Sequence, residues 1–228
     1  MMKAVEKTLS FIEVLSNPLI LILCLALVVI MTVMDLYWNL AVQAALFALL
    51  AFLTISLKDS LSREKEAARR DPVTGALNGK AFVELAWREI NRSRRYKHPF
   101  TLAYMDVDNL KDINERFGHA AGDALLRSVT DAIKGNLRNV DAVSRLGGDE
   151  LVVVLPETAH DGAVVVMERL RYLLSDVMKK NHWPATFSMG VVTYKSSPDT
   201  VDEMIRRADA LTAQAKAAGK DMIRYDVY

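Results

Sequence analysis

A single cysteine, Cys24, stands in 228 residues, so no intramolecular disulfide can staple the fold; the usage is compatible with a reducing compartment. Charge of one sign is lacking as well: 29 Lys and Arg against 28 Asp and Glu leave a formal net charge of +1. No large basic field is available, and no nucleic-acid partner is expected. Internal repeats and low-complexity segments are absent too. The length suits one ordinary domain plus a smaller attachment.

Charge is also missing locally, and there its absence is informative. Pro18 to Met34, PLILILCLALVVIMTVM, carries none, and neither does Leu40 to Leu57, LAVQAALFALLAFLTISL. Each run approaches the roughly 20 residues that cross a bilayer as a helix. Tyr37 and Trp38 lie between them, where interfacial aromatics belong. The expectation is two transmembrane helices, about 18–36 and 40–57, joined through MDLYWN and packed in a lipid bilayer. A buried hairpin of core helices is the alternative. A cleaved signal peptide fits less well, because the first run starts late and a second follows at once. Lys3 and Lys7 precede the first run, Lys58, Arg63, Lys65, Arg69 and Arg70 follow the second, and only Asp35 sits between. Positive-inside bias then puts both termini in the cytoplasm. The connection is too short for an external sensor domain, so a signal would come from a membrane-embedded sensor partner. The stretch KAVEKTLSFIEVLS has helical apolar spacing and is expected along the cytoplasmic face.

Lys58 to Arg70, KDSLSREKEAARR, is charged and free of Gly and Pro, and reads as a helical linker. Its heptad pattern is poor, so a solvated helix and a parallel zipper both stay open. Asp71-Pro72 ends it, since the residue before proline is pushed out of helical space. This divides the chain into a membrane region 1–57, a linker 58–70 and a soluble domain 71–228. In the last, helical and strand patterns alternate: helix from Ala81, strand at Thr101–Val107, helix from Ala121, a strand pair through Gly147-Gly148, a long helix from Ala159, strand at Ala185–Tyr194, helix from Val201, and a short strand near Met222. Such an order implies a sheet with helices packed on it.

Two acidic clusters fall at strand ends. In MDVD, Asp106 and Asp108 share one face of an extended chain. In GGDE, Asp149 and Glu150 follow two glycines directly. If the second strand pair lies beside the first strand, Asp149 approaches Asp106. Two carboxylates in one cleft repel unless a cation sits between them. Mg²⁺ suits such a site, with substrate phosphates completing its shell. A solvated hairpin turn is the other reading. The segment NLKDINERFGHAAGDALL adds Lys111 for phosphate, with Asn114 and Asp123 for a guanine edge. Each also has a plain structural reading, as a solvated lysine or a helix cap.

Four segments together resemble the GGDEF family of diguanylate cyclases: DPVTGALNGKAF, MDVDNLKDINERFGHAAGDALL, RLGGDEL and RRADALTAQAKAAGKDMI. The resemblance runs from Asp71 to about Tyr225. It implies an α+β fold, a mixed sheet with flanking helices like that of polymerase palms and adenylyl cyclases. It implies GTP as substrate and two Mg²⁺ per active site, with Mn²⁺ as the substitute. By matching position, Asp106, Asp149 and the Val107 carbonyl hold metal, and Asn114 and Asp123 read guanine. Lys111 and Lys216 bind phosphate, and Asn109, Leu110 and Gly148 line the substrate. Glu150 lies near metal and ribose and, with Asp149 and Lys111, makes up the catalytic set. Two domains in an antiparallel homodimer would each bring one GTP, giving cyclic di-GMP and two pyrophosphates. Arg138 and Asp141 match an R-x-x-D site at which product inhibits, with Arg169 as a second arginine; a surface ion pair is the alternative there. With the two expected spans, a bacterial family of this kind places the chain in the inner membrane, multi-pass, with the cyclase domain in the cytoplasm. Departures are Leu151 for the signature phenylalanine, Gly79 for an arginine, Asn109 and Leu110 for aromatics, Ala213 for a tyrosine and Lys220 for an arginine. A rival function is a catalytically silent receptor that binds GTP or cyclic di-GMP. Asp123 argues for guanine over adenine.

Overall fold

The computed structural model describes residues 18–228. The amphipathic N-terminal stretch, with Lys3 and Lys7, lies outside the described residues. The chain divides into two compact units at Glu64/Lys65.

The first unit is occupied by helix α1, Pro18–Ala67, whose last residues enter the second unit. None of its residues is buried, which removes the alternative of a core hairpin. Among the described residues it is the one helix long and apolar enough to cross a membrane, with a mean hydropathy of 2.9 over its most apolar window. Thr32 and Thr54 return their hydroxyls to carbonyls one turn back, at Val28, Val29 and Ala51, so neither presents an unpaired donor to an apolar medium. The expected turn between two spans is not present: helix continues through Asp35–Asn39. MDLYWN contains neither Gly nor Pro, so nothing there removes a backbone donor or offers a cheap left-handed residue to stop the ladder. An unbroken helix leaves a bilayer on the side opposite its entry. The structure thus shows one long helix in place of the expected pair, and does not show a two-span, multi-pass arrangement.

The second unit holds β1 (Leu77–Asn78), α2 (Gly79–Tyr96), β2 (Phe100–Asp108), α3 (Leu110–Phe117), α4 (His119–Lys134), β3 (Ala142–Gly147), β4 (Glu150–Leu155), α5 (His160–Lys180), β5 (Thr186–Tyr194), α6 (Val201–Ala217) and β6 (Ile223–Val227). The six strands form one mixed sheet in the order β1-β3-β4-β2-β5-β6. Strand β2 is central, antiparallel to β4 on one side and β5 on the other, while β1 and β6 pair in parallel at the edges. All nine residues of β2 are buried, because helices cover both faces. On one face Ala103, Met105 and Val107 pack with Leu125, Val129, Leu170 and Leu174 of α4 and α5. On the other, Leu102 and Tyr104 pack with Phe82 and Ile90 of α2 and Met204 and Ala208 of α6. Leu151, in place of phenylalanine, is fully buried in the first layer and keeps that position apolar.

Helix α6 sits close on the sheet because β5 carries Gly190. A Cβ there would lie 2.1 Å from the Ala208 carbonyl oxygen and 2.6 Å from the Thr212 backbone nitrogen. Thr212 uses the short approach, donating its hydroxyl to the Tyr104 carbonyl at 3.1 Å. Gly190→Ala should therefore push α6 outward and cost about 1–3 kcal/mol or more of stability. Urea unfolding of the purified protein would register this as a lower midpoint at unchanged slope; an unshifted midpoint would show that the helix adjusts freely.

Candidate active site

The carboxylates meet where β2 ends and β4 begins. Asp106 pairs across the antiparallel ladder with Glu150, and the Val107 N–H donates to the Asp149 carbonyl at 3.2 Å. This fixes the GGDE hairpin against β2 and brings Asp106, Val107, Asp149 and Glu150 to one sheet end. The Asp106 side chain is only 9% exposed. Burial, reinforced by the charges of Asp149 and Asp108, raises its pKa, while Lys216 opposes the shift. Lys216 Nζ lies 2.6 Å from Asp106 Oδ2. Burial works against its charge, but the bond to Asp106 and the neighbouring carboxylates win, and its pKa is raised.

The other acids are held differently. Asp108, on the same face as Asp106, accepts hydrogen bonds from Ser188 Oγ at 2.9 and 3.1 Å and from Thr186 Oγ1 at 2.8 Å. It ties β2 to β5. The Tyr104 hydroxyl bonds to Glu150, and burial first, then this bond and the nearby carboxylates, push its pKa well above the ordinary tyrosine value. Tyr104 thus stays a neutral donor that orients Glu150.

Among the described residues, no group of three or more His, Cys, Asp or Glu gathers as a complete metal centre. Two carboxylates and one backbone carbonyl suit a hard divalent cation that takes its remaining ligands from phosphate and water, the habit of Mg²⁺. The donor chemistry fits.

Beside the carboxylates opens a cavity of about 530 Å³, lined among others by Lys111, Asn114, Asp123, Arg145, Gly148 and Asp149. Helices α3 and α4 supply the first three. Asn114 Oδ1 is buried there and has no hydrogen-bond partner. Its room is provided by Gly122: a Cβ on that residue would fall 1.9 Å from Asn114 Oδ1. Lys111 is 87% exposed and lies 3.6 Å from Glu115, one turn along its helix. Leu110 is buried at the cavity wall, and Asn109 before it takes a left-handed φ of 64°. The side-chain oxygen of Asn109 accepts from Lys220 Nζ at 2.8 Å. The lysine that replaces an arginine thus meets Asn109, next to the cavity-lining Leu110.

Arg138, Asp141 and Arg169 gather at the other end of β3. Asp141 Oδ2 accepts from the Arg138 N–H at 2.9 Å, closing a turn, while Asp141 Oδ1 is buried without a partner. Arg169 donates to the Asn136 carbonyl at 2.7 Å, on the same turn. The length of β3, about 20 Å, separates this group from the glycines.

One site contributor escaped the sequence reading. Arg145 clamps the Gly148 carbonyl through Nε at 3.0 Å and Nη2 at 2.6 Å, and its Nη1 lies 3.2 Å from Asp71 Oδ1. Both Arg145 and Asp71 lie inside recognised segments, but 74 positions apart no spacing rule joins them. Burial would raise the Asp71 pKa; the Thr74 hydroxyl and N–H and the Arg145 guanidinium outweigh it, and the pKa is lowered. A lowered folded-state pKa stabilises above the unfolded value near 3.9, and that contribution fades as pH falls through the folded value. Asp71→Asn should then cost on the order of 1.5–3 kcal/mol at pH 7, the range of hydrogen bonds to charged groups. The gap from wild type should narrow below about pH 4. Urea titrations at pH 7 and pH 3.5 check this; a gap that does not change with pH would show that the charge on Asp71 contributes nothing.

Residues 68–222 match the family described as "Diguanylate cyclase, GGDEF domain". The chain is 32% identical over 166 residues to the diguanylate cyclase DgcP of Pseudomonas aeruginosa, covering 72% of this chain and 25% of DgcP. It is 31% identical over 172 residues to the response regulator PleD of Caulobacter vibrioides, covering 73% of this chain and 38% of PleD. The chain thus spans less than two-fifths of the length of these curated relatives. The crystal structure of the coiled coil and GGDEF domain of DgcB from Caulobacter crescentus, in complex with c-di-GMP, superposes with a TM-score of 0.71 at 25% identity, covering 79% of this chain and 99% of that one. With its signature hairpin, its mixed sheet and a match over most of its length, the chain belongs to the GGDEF-domain diguanylate cyclase family.

Proposed function

We propose that the chain is a diguanylate cyclase that condenses two GTP into cyclic di-GMP and two pyrophosphates. The observation that carries this reading is Asn114 Oδ1, a buried acceptor without a partner, in a cavity that also holds Asp123 and Asp149. Guanine offers donors at N1 and N2 that such an oxygen and the Asp123 carboxylate can accept. Lys111 and Lys216 take the phosphates, with Lys220 beside Asn109 at the mouth, and Leu110 and Gly148 form the wall. Asp106, Asp149 and the Val107 carbonyl would hold two Mg²⁺, or Mn²⁺, which when bound neutralise phosphate charge and stabilise the leaving pyrophosphate. Glu150, oriented by Tyr104, faces the ribose.

Each domain holds one GTP, so two must meet as an antiparallel homodimer. The 3′-oxygen of one GTP bonds to the α-phosphorus of the other, its proton departs, and the bond from that phosphorus to pyrophosphate breaks. The reverse attack closes the ring. A silent receptor for GTP or cyclic di-GMP would not need Asp106, Asp149 and Glu150 together, and their joint presence favours the enzyme.

Membrane attachment is proposed through α1, in the bacterial inner membrane, with the basic residues 58–70 on the cytoplasmic side. Its apolar part, residues 18–57, would be about 60 Å long as a helix, twice the hydrocarbon thickness of about 30 Å. The part that lipid cannot cover is available to a second copy or to a membrane-embedded sensor partner.

Purified full-length protein incubated with GTP and Mg²⁺ should produce cyclic di-GMP, resolved by chromatography. Asp149→Ala should abolish the product without unfolding the protein, and Asn114→Ala should raise the GTP KM by about tenfold or more. A wild type that binds GTP tightly yet yields no product would support the silent receptor instead. Product inhibition is proposed at Arg138, Asp141 and Arg169. Arg138→Ala should weaken inhibition by added cyclic di-GMP at least tenfold, on the order of 1.5–3 kcal/mol for charge-assisted bonds, with the initial rate retained. Progress curves of the two proteins decide; equal inhibition would reduce the R-x-x-D turn to a surface feature.

A further inference from the structure

Helix α2 has an outer face that the cyclase chemistry does not use. Its buried stripe is Ala81, Phe82, Ala86, Glu89, Ile90 and Ser93. The opposite stripe, at helical spacing, is Lys80, Val83, Glu84, Trp87, Arg88 and Arg95. Val83 and Trp87 are each 48% exposed, apolar groups on a side that should be polar throughout. Around them the charge is mostly positive. Glu84 is neutralised by an ion pair with Arg69. Two other basic residues of α2 are engaged elsewhere: Arg92 pairs with Glu157, and Arg94 donates to the Pro198 carbonyl. Lys80, Arg88 and Arg95 remain on the outer face with the tryptophan. A groove of about 860 Å³ runs beside them, in which Lys65, Arg69, Lys80 and Arg88 outnumber the two acids, Glu66 and Glu84, beside Trp87.

We propose that this face of α2 docks on the surface of an anionic lipid bilayer, with Trp87 and Val83 entering the headgroup region and Lys80, Arg88 and Arg95 meeting lipid phosphates. An exposed tryptophan flanked by cations on one helix face is what an interfacial helix presents to lipid. The docking presupposes membrane attachment through α1, as proposed above. Residues 58–68 then form a tether between the last apolar residue, Leu57, and Arg69. Juxtamembrane Lys and Arg are attracted to anionic lipid. A second copy of this chain is the weaker occupant, since two such faces would oppose like charges. Nucleic acid would use the cations but has no need of Val83.

The test uses the full chain in lipid nanodiscs, with Trp38→Phe and Trp183→Phe leaving Trp87 as the only tryptophan. Discs of brominated neutral lipid are compared with discs of the same lipid in which about a third is replaced by phosphatidylglycerol, an anionic lipid that attracts Lys and Arg. Bromine quenches tryptophan only at contact range. Trp87 should be quenched at least about threefold more strongly in the anionic discs, the contrast should fall with added salt, and Lys80→Gln/Arg88→Gln/Arg95→Gln should abolish it. Weak quenching in both discs, or equal quenching in both, would overturn the proposal. So would a Trp87 signal that depends on the number of chains per disc, which would mark a self-interface. A chain that fails to enter discs at all would instead overturn membrane attachment, and this docking with it. None of these readouts depends on cyclase activity.

Discussion

Asp106 is a carboxylate at the end of the central strand, nine-tenths covered, with two further acids close enough to disturb its ionisation. That concentration of negative charge in a poorly hydrated place is the constraint on which the surrounding structure depends. Uncompensated, it would drive protonation or push the strands apart. The protein answers it separately for each acid. Asp106 has the ammonium of Lys216, Asp108 has two hydroxyls from β5, and Glu150 has the hydroxyl of Tyr104.

These compensations require two close approaches of backbone. Helix α6 delivers Lys216 only because Gly190 lets it lie on β5 without a side chain between them. The signature hairpin is held by Arg145, which grips the Gly148 carbonyl and is itself fixed by Asp71 at the start of the soluble unit. The cavity wall has a third such device in Gly122, which leaves space for the Asn114 side chain. The departures from the family pattern fall outside these three contacts. Lys220 still meets Asn109, and Leu151 is buried where an aromatic is usual.

The two units answer different solvents. In the second, most apolar side chains are hidden on both sides of a sheet, with single exposed ones such as Phe117, Val140 and Val165 scattered on the surface and Val83 and Trp87 side by side on α2. In the first, an apolar helix shows every side chain, which water would penalise and lipid would not.

By itself the sequence determined the kind of fold and the chemistry of the site. Alternation of strand and helix patterns marks a sheet covered by helices, and the acids at the ends of MDVD and GGDE lie where strands stop, because local periodicity and turn residues act over a few positions. The short β1 and helix α3 were not visible, being too brief to show a period. MDLYWN read as a turn between spans because Asp35 interrupts the apolar run, yet a single charge does not break a helix when no Gly or Pro accompanies it. The Arg145–Asp71 clamp, the fit of Gly190 under α6 and of Gly122 beside Asn114, and the division of labour among Asp106, Asp108 and Glu150 were decided only by the tertiary structure. Each joins residues whose distance in space is set by how the strands order themselves, and no pattern along the chain carries that order.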